Sequence, residues 1–134
     1  MHYTDIVTSF LKHDKKILIL KRSQNVKSMK NLWGGVSGII ENNEQPLKRA
    51  IIEIFEEVGL AEHEINLLKE GKEMDIISPQ YKNHIWHIFP FLFGVSNIEL
   101  QLNWENSDFK WINVDQIKEF ETVPNLEEIL LNLI

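Results

Sequence analysis

Three glutamates, Glu53, Glu56 and Glu57, stand three and four residues apart within "AIIEIFEEVGL". On a helix turning roughly 100° per residue, that spacing gathers their carboxylates within about a quarter to a third of the circumference. Like charges so placed repel by roughly a few tenths of a kcal/mol per exposed pair. A divalent cation removes that cost, and hard carboxylate oxygens suit Mg²⁺ or Mn²⁺. The same pattern describes an ordinary solvated helix face, so the spacing alone leaves both readings open. Arg49 lies one turn before Glu53 on the same side, as a stabiliser of that carboxylate or as a plain surface ion pair.

The element that must carry these groups is a helix predicted over Gln45 to Val58. Pro46 falls in its first turn, where a missing N–H costs nothing, and Gly59 follows its end. Leu47, Ala50, Ile51, Ile54, Phe55 and Val58 share one side and are expected to face a core. Ile52 falls on the polar side, beside the glutamates.

Before the helix, Asp5 to Leu11 and "KILILKR" (16–22) read as strands joined by a turn at "HDKK". Ser23 to Lys30 is a polar loop, and "NLWGGVSGII" brings three glycines where the backbone turns or approaches a neighbour closely. After the helix, a strand is expected within Ile65 to Met74, then a loop at "SPQYKN". "HIWHIFPFLFGV", "IELQL" and "FKWINV" follow as three further strands. Asp115 is expected to cap a short helix through Phe120, and Pro124 precedes a closing helix from Asn125 to Leu133. Strands on both sides of one strong helix predict an α+β sandwich.

The 134 residues suit a single domain spanning 1–134, with 43% hydrophobic and 25% charged residues in globular proportion. No apolar run approaches the length of a membrane span, and "MHYTDIVTSF" lacks the layout of a secretory signal. Cysteine is absent, which removes disulfides and thiolate metal sites and fits a cytoplasmic protein. A net charge of −6 argues against coating nucleic acid. It also repels polyphosphate unless a cation stands between, which again points to a metal.

"GIIENNEQPLKRAIIEIFEEVGL", from Gly38 to Leu60, resembles the Nudix box. Gly38, Glu44, Glu53, Ile54, Glu56, Glu57, Gly59 and Leu60 match eight of its nine fixed positions, and Glu41 matches a common loop glutamate. The order of strands, glycine-rich turn, helix and later strands extends the likeness to nearly the whole chain. The departure is Ile52, where the family carries an arginine that pairs with box glutamates. Arg49 either takes over part of that role or remains a surface charge. Asn43 is a milder difference, since many members have glycine there and Asn tolerates the left-handed backbone well.

The resemblance implies a Nudix-like α/β/α sandwich with a mixed β-sheet and hydrolysis of a small-molecule diphosphate, with Mg²⁺ or Mn²⁺ as cofactor. It implies Glu53, Glu56 and Glu57 as metal ligands, Glu57 foremost, with the Gly38 carbonyl beside them and Glu44 in support. Glu105 is the best match for an additional acidic residue in a later loop, with Asp108 as competitor. Trp33, Glu41 and Arg49 are the substrate-binding candidates, although a tryptophan such as Trp33 or Trp86 equally suits a core. His84 and His87 are three apart on a strand and so face opposite sides, which disfavours a zinc site. Family habit adds a homodimer. The alternative is a non-catalytic module that binds a nucleotide or sugar diphosphate, a reading favoured by Ile52. An isomerase of related fold would need a cysteine nucleophile that this chain lacks.

Overall fold

The computed structural model describes residues 2–78 and 81–134. In chain order it contains β1 (His2–His13), β2 (Lys16–Arg22), β3 (Trp33–Gly34), β4 (Val36–Ile39), α1 (Pro46–Val58), β5 (Ile65–Glu70), β6 (Met74–Ile76), β7 (His84–Val95), β8 (Asn106–Ile112) and α2 (Leu126–Leu131). The two long strands β1 and β7 run parallel, in register from His2 opposite His84 to Lys12 opposite Gly94. The other pairings between these strands are antiparallel, so the sheet is mixed.

A left-handed Asp14 turns β1 into β2, but only two residue pairs join them near the turn. The strands then diverge. The middle of β1, Ile6 to Ser9, pairs with β4, while β2 takes β3 and β8. That split brings the start of β8 and the end of β2 towards the helix.

The near-continuous apolar run of β7 is what a strand buried on both faces requires. Phe91 and Phe93 join Val7 and Leu11 beneath Ala50, Ile54 and Val58 of α1. Ile88 and Leu92 join Phe10 beneath Leu126, Ile129 and Leu130 of α2. Helix, sheet and helix therefore stack as an α/β/α sandwich. Phe10, Phe91 and Phe93 are almost fully buried, worth about 1.5–3 kcal/mol each.

The strand expected within 65–74 breaks into β5 and β6. Pro90 of β7 has no N–H to offer the neighbouring strand, and Gly71 instead donates to the Pro90 carbonyl. "IELQL" (98–102) is not a strand. Leu100 and Leu102 do turn inward against the α1-side core, but the N–H of Gln101 donates to the Val58 carbonyl. The segment closes the end of α1 instead of extending the sheet. The short helix near Asp115 is a 3-10 turn over Val114–Glu119 capped at Asn113, whose N–H donates to the Gln116 side chain. Pro79 and Gln80 of the expected 78–83 loop lie outside the described residues.

Candidate active site

α1 is rolled relative to the expected orientation. Its buried residues are Ala50, Glu53, Ile54, Glu57 and Val58, whereas Phe55 is 60% exposed. The glutamate edge of the helix is therefore pressed onto the sheet. Gly38 on β4 permits this, because a Cβ there would lie 2.2 Å from Cδ of Glu53. Glu53 and Glu57 are only 8% and 3% exposed, so they are not the solvated face that the helical wheel suggests.

Glu53, Glu57 and Glu105 each offer a carboxylate oxygen, and the three oxygens lie within 4.8 Å of one another. Asn106, first residue of β8, donates from Nδ2 to Glu57 Oε1 at 3.0 Å. Glu57 Oε2 is buried with no hydrogen-bond partner among the described residues. Glu105 sits in a tight turn whose N–H donates to Asn103 Oδ1 (3.0 Å), while Asn103 Nδ2 donates to Glu105 Oε1 (3.2 Å). The turn is tied to the end of β2, where Ser23 N–H donates to the Glu105 carbonyl.

Burial, reinforced by the charge of Glu105, pushes the Glu57 carboxyl well above the usual carboxylate range. Burial raises Glu53 as well, against the lowering effect of its bond from Arg49. Grouped buried carboxylates with a spare oxygen are costly without a positive partner. A hard divalent cation fits this donor set, both in charge and in ligand type.

Arg49 links the helix to the preceding loop. It donates from Nε and Nη2 to the two oxygens of Glu44 (2.9 and 2.6 Å) and from Nη1 to Glu53 Oε2 (3.1 Å). Glu44 Oε1 also accepts from the Glu41 N–H. Pairing with Glu44 raises the Arg49 pKa still further and lowers that of Glu44. Ile52 is half-buried on the outer part of the helix.

Several expected residues fall elsewhere. Glu56 is exposed and outside the carboxylate group, since the roll of α1 carries it towards solvent. Glu41 is exposed and joins the network through its backbone. Asp108 is exposed, and its carboxylate accepts from the adjacent Phe109 N–H. Trp33 is 8% exposed and meets Phe120 in a T-shaped contact in the α2-side core. Asn106 escaped the sequence reading. Its signal is its place beside Glu105 at the start of a strand.

On the opposite face of the sheet lies a pocket of 140 Å³, lined by Arg22, Ser28, Ser37, Ile76, Trp86 and Leu126 among others. Two connections join it to the carboxylates. Ser37 lines the pocket while its neighbour Gly38 meets Glu53, and Arg22 pairs in register with Asn106, the donor to Glu57. Arg22 is itself held by two donations to the Ser28 carbonyl.

The NUDIX domain family profile matches residues 2–133. An RNA pyrophosphohydrolase from Bartonella bacilliformis is 27% identical over 115 residues, covering 72% of this chain and 66% of the relative. A dihydroneopterin triphosphate diphosphatase from Haemophilus influenzae is 28% identical over 141 residues, covering 96% and 87% respectively. Among solved structures, a MutT protein from Methanosarcina mazei superposes with a TM-score of 0.76 at 18% identity, covering 97% of this chain and 91% of that one. Among the described residues, no helix is long and apolar enough to cross a membrane.

Proposed function

The chain belongs to the Nudix family, and on that premise we propose that it is a pyrophosphohydrolase cleaving a diphosphate linkage in a nucleoside diphosphate derivative or a nucleoside triphosphate-like substrate, with Mg²⁺ or Mn²⁺ as cofactor. The observation that carries this reading is the group of Glu53, Glu57 and Glu105, in which Glu57 Oε2 is buried with no hydrogen-bond partner among the described residues. The names of the two relatives, a pyrophosphohydrolase and a diphosphatase, support the same reaction class.

Glu57, Glu53 and Glu105 would hold the cation. When bound, it neutralises phosphate charge and makes a water molecule more acidic. Asn106 fixes the Glu57 carboxylate and Arg49 that of Glu53, so both are oriented before substrate arrives. Glu105, the least buried of the three, is the group with access to take a proton from the attacking water. Water oxygen adds to phosphorus as the bridging P–O bond breaks. The pocket of Ile76 and Trp86, with Arg22 in its lining, receives the group attached to the diphosphate.

Ile52 favours a second reading, a binding module without turnover. A panel of nucleoside diphosphate derivatives and triphosphates, assayed for product release with Mg²⁺ and then with chelator, separates the two. Chelator-sensitive release supports the hydrolase. Tight binding of a panel member without release in either condition would transfer the assignment to the binding module.

A further inference from the structure

We propose that His87, held between Asp75 and Glu73, is a pH-dependent positioning residue that fixes strand β6, and with it one wall of the pocket, only while its ring carries both protons. His87 Nδ1 lies 2.5 Å from Asp75 Oδ1, and Nε2 lies 2.6 Å from Glu73 Oε1. A neutral imidazole carries one N–H, so one of these carboxylates would then face a nitrogen lone pair. Only the imidazolium donates to both. The two nitrogens also point to different sides of the ring, so one metal ion could not take both carboxylates and the ring in this arrangement.

Among the described residues, the charged groups bonded to His87 or in register with it are acidic. Asp75 faces it from β6 and Glu73 from the segment before β6. Asp5, its register partner on β1, occupies the same sheet face on the other side. On its own strand the neighbour is neutral, the edge of Phe89 at 4.9 Å between centroids. The bonds to Asp75 and then Glu73 raise the His87 pKa above its ordinary 6.5. Because the folded value is raised, the clamp is complete below about pH 6.5 and is lost as pH rises through that higher value.

Position makes the clamp consequential. β6 is three residues long and pairs with β7 alone, through Met74–Ile88, Asp75–His87 and Ile76–Trp86. Ile76, 6% exposed, lines the pocket together with Trp86 and Ser78. A strand this short has few backbone bonds of its own, so the part-exposed bridge adds to the hold that the buried Ile76 gives it. Loss of the bridge frees the Ile76 side of the pocket. The effect on substrate rests on the proposed reading that this pocket receives the substrate's attached group.

The test combines two readouts on the full chain between about pH 6 and 9, the range around the histidine titration. NMR follows the His87 ring and the hydrogen exchange of the Asp75 and Ile76 amides, corrected for the intrinsic pH dependence of exchange. Kinetics follow KM and kcat for whichever panel substrate is turned over. The expected result is a His87 midpoint above its ordinary value, with protection at Ile76 falling roughly three- to tenfold through that midpoint. KM should rise over the same interval while kcat holds. His87→Arg, a permanent cation able to reach both carboxylates, should keep β6 protected and KM flat across the range. Glu73→Gln should lower the midpoint, and it serves if His87→Arg fails to fold. Protection of β6 that ignores the His87 titration, or a His87→Arg protein with the wild-type pH profile, would overturn the clamp. If β6 loosens as expected but KM stays constant, the clamp stands and the pocket is not the seat of the substrate.

Discussion

A Cβ on Gly38 would lie 2.2 Å from Cδ of Glu53, so β4 and α1 approach each other through the one residue that leaves room for a buried carboxylate. The contact aligns the fold with the chemistry. It sets how deeply the glutamate edge of α1 sinks, and it places Ser37 on the pocket side of the same strand.

Gly38→Ala is therefore expected to displace Glu53 and strain the strand–helix contact, costing about 1–3 kcal/mol as overpacking does. Metal affinity and kcat should both fall. Isothermal titration with Mg²⁺ and a thermal melt check this together, and an alanine variant with unchanged affinity would mean that the contact relaxes without moving the carboxylate.

Glu57→Gln should abolish turnover and, in chelator, raise the melting temperature. The glutamine keeps the shape but replaces a carboxyl whose ionised form burial and the charge of Glu105 disfavour, and its amide can donate to Glu53 and Glu105. Satisfying one unpaired buried polar group is worth about 1–3 kcal/mol. Added Mg²⁺ should stabilise the wild type and leave the variant nearly unchanged. A variant less stable than wild type in chelator would contradict the account of Glu57 as a strained, waiting ligand.

The composition of the box made the helix, its C-terminal glycine and the grouping of glutamates legible in the sequence. The wheel could not show the roll of α1. Phe55 is more hydrophobic than Glu53, yet the gap at Gly38 on another strand takes in the glutamate while the phenylalanine stays exposed. The same holds for "IELQL", whose alternation is real but whose partner is a helix end. Pairing of β1 with β7, more than seventy residues apart, is likewise invisible to local pattern. Asn106 was hidden for that reason too, because its role depends on β8 reaching α1.

Glu105 and Asp108 are separated by geometry. Glu105→Gln is expected to reduce kcat by roughly a hundredfold or more, the usual range for a general base. Asp108→Asn should leave the rate near wild type, since that carboxylate is exposed and only caps Phe109. Steady-state rates at saturating Mg²⁺ decide the matter, and a larger loss in Asp108→Asn would reassign the proton acceptor.

The last expectation concerns the arginine that the box lacks. Arg49 bonds Glu53 Oε2 and both oxygens of Glu44, so it holds one carboxylate of the group from the preceding turn of the helix. We infer that it performs the orienting role for which Ile52 has no charge. Arg49→Ala leaves Glu53 buried without its cation and should lower kcat/KM and metal affinity roughly tenfold, about 1.4 kcal/mol. Arg49→Lys should recover little, because an ammonium cannot bridge two carboxylates as a planar fork does. Ile52 is half-buried, and an arginine there can lay its stem along the helix and bring its charge to the edge of the neighbouring glutamates. Ile52→Arg alone should then raise activity modestly, by roughly five- to thirtyfold at most, or about 1–2 kcal/mol. In the Arg49→Ala background the same substitution should restore more than it adds to wild type, because the two cations serve one carboxylate group. Strictly additive effects in that double-mutant cycle would show that Arg49 and position 52 act independently, and Arg49 would revert to a loop-tethering charge.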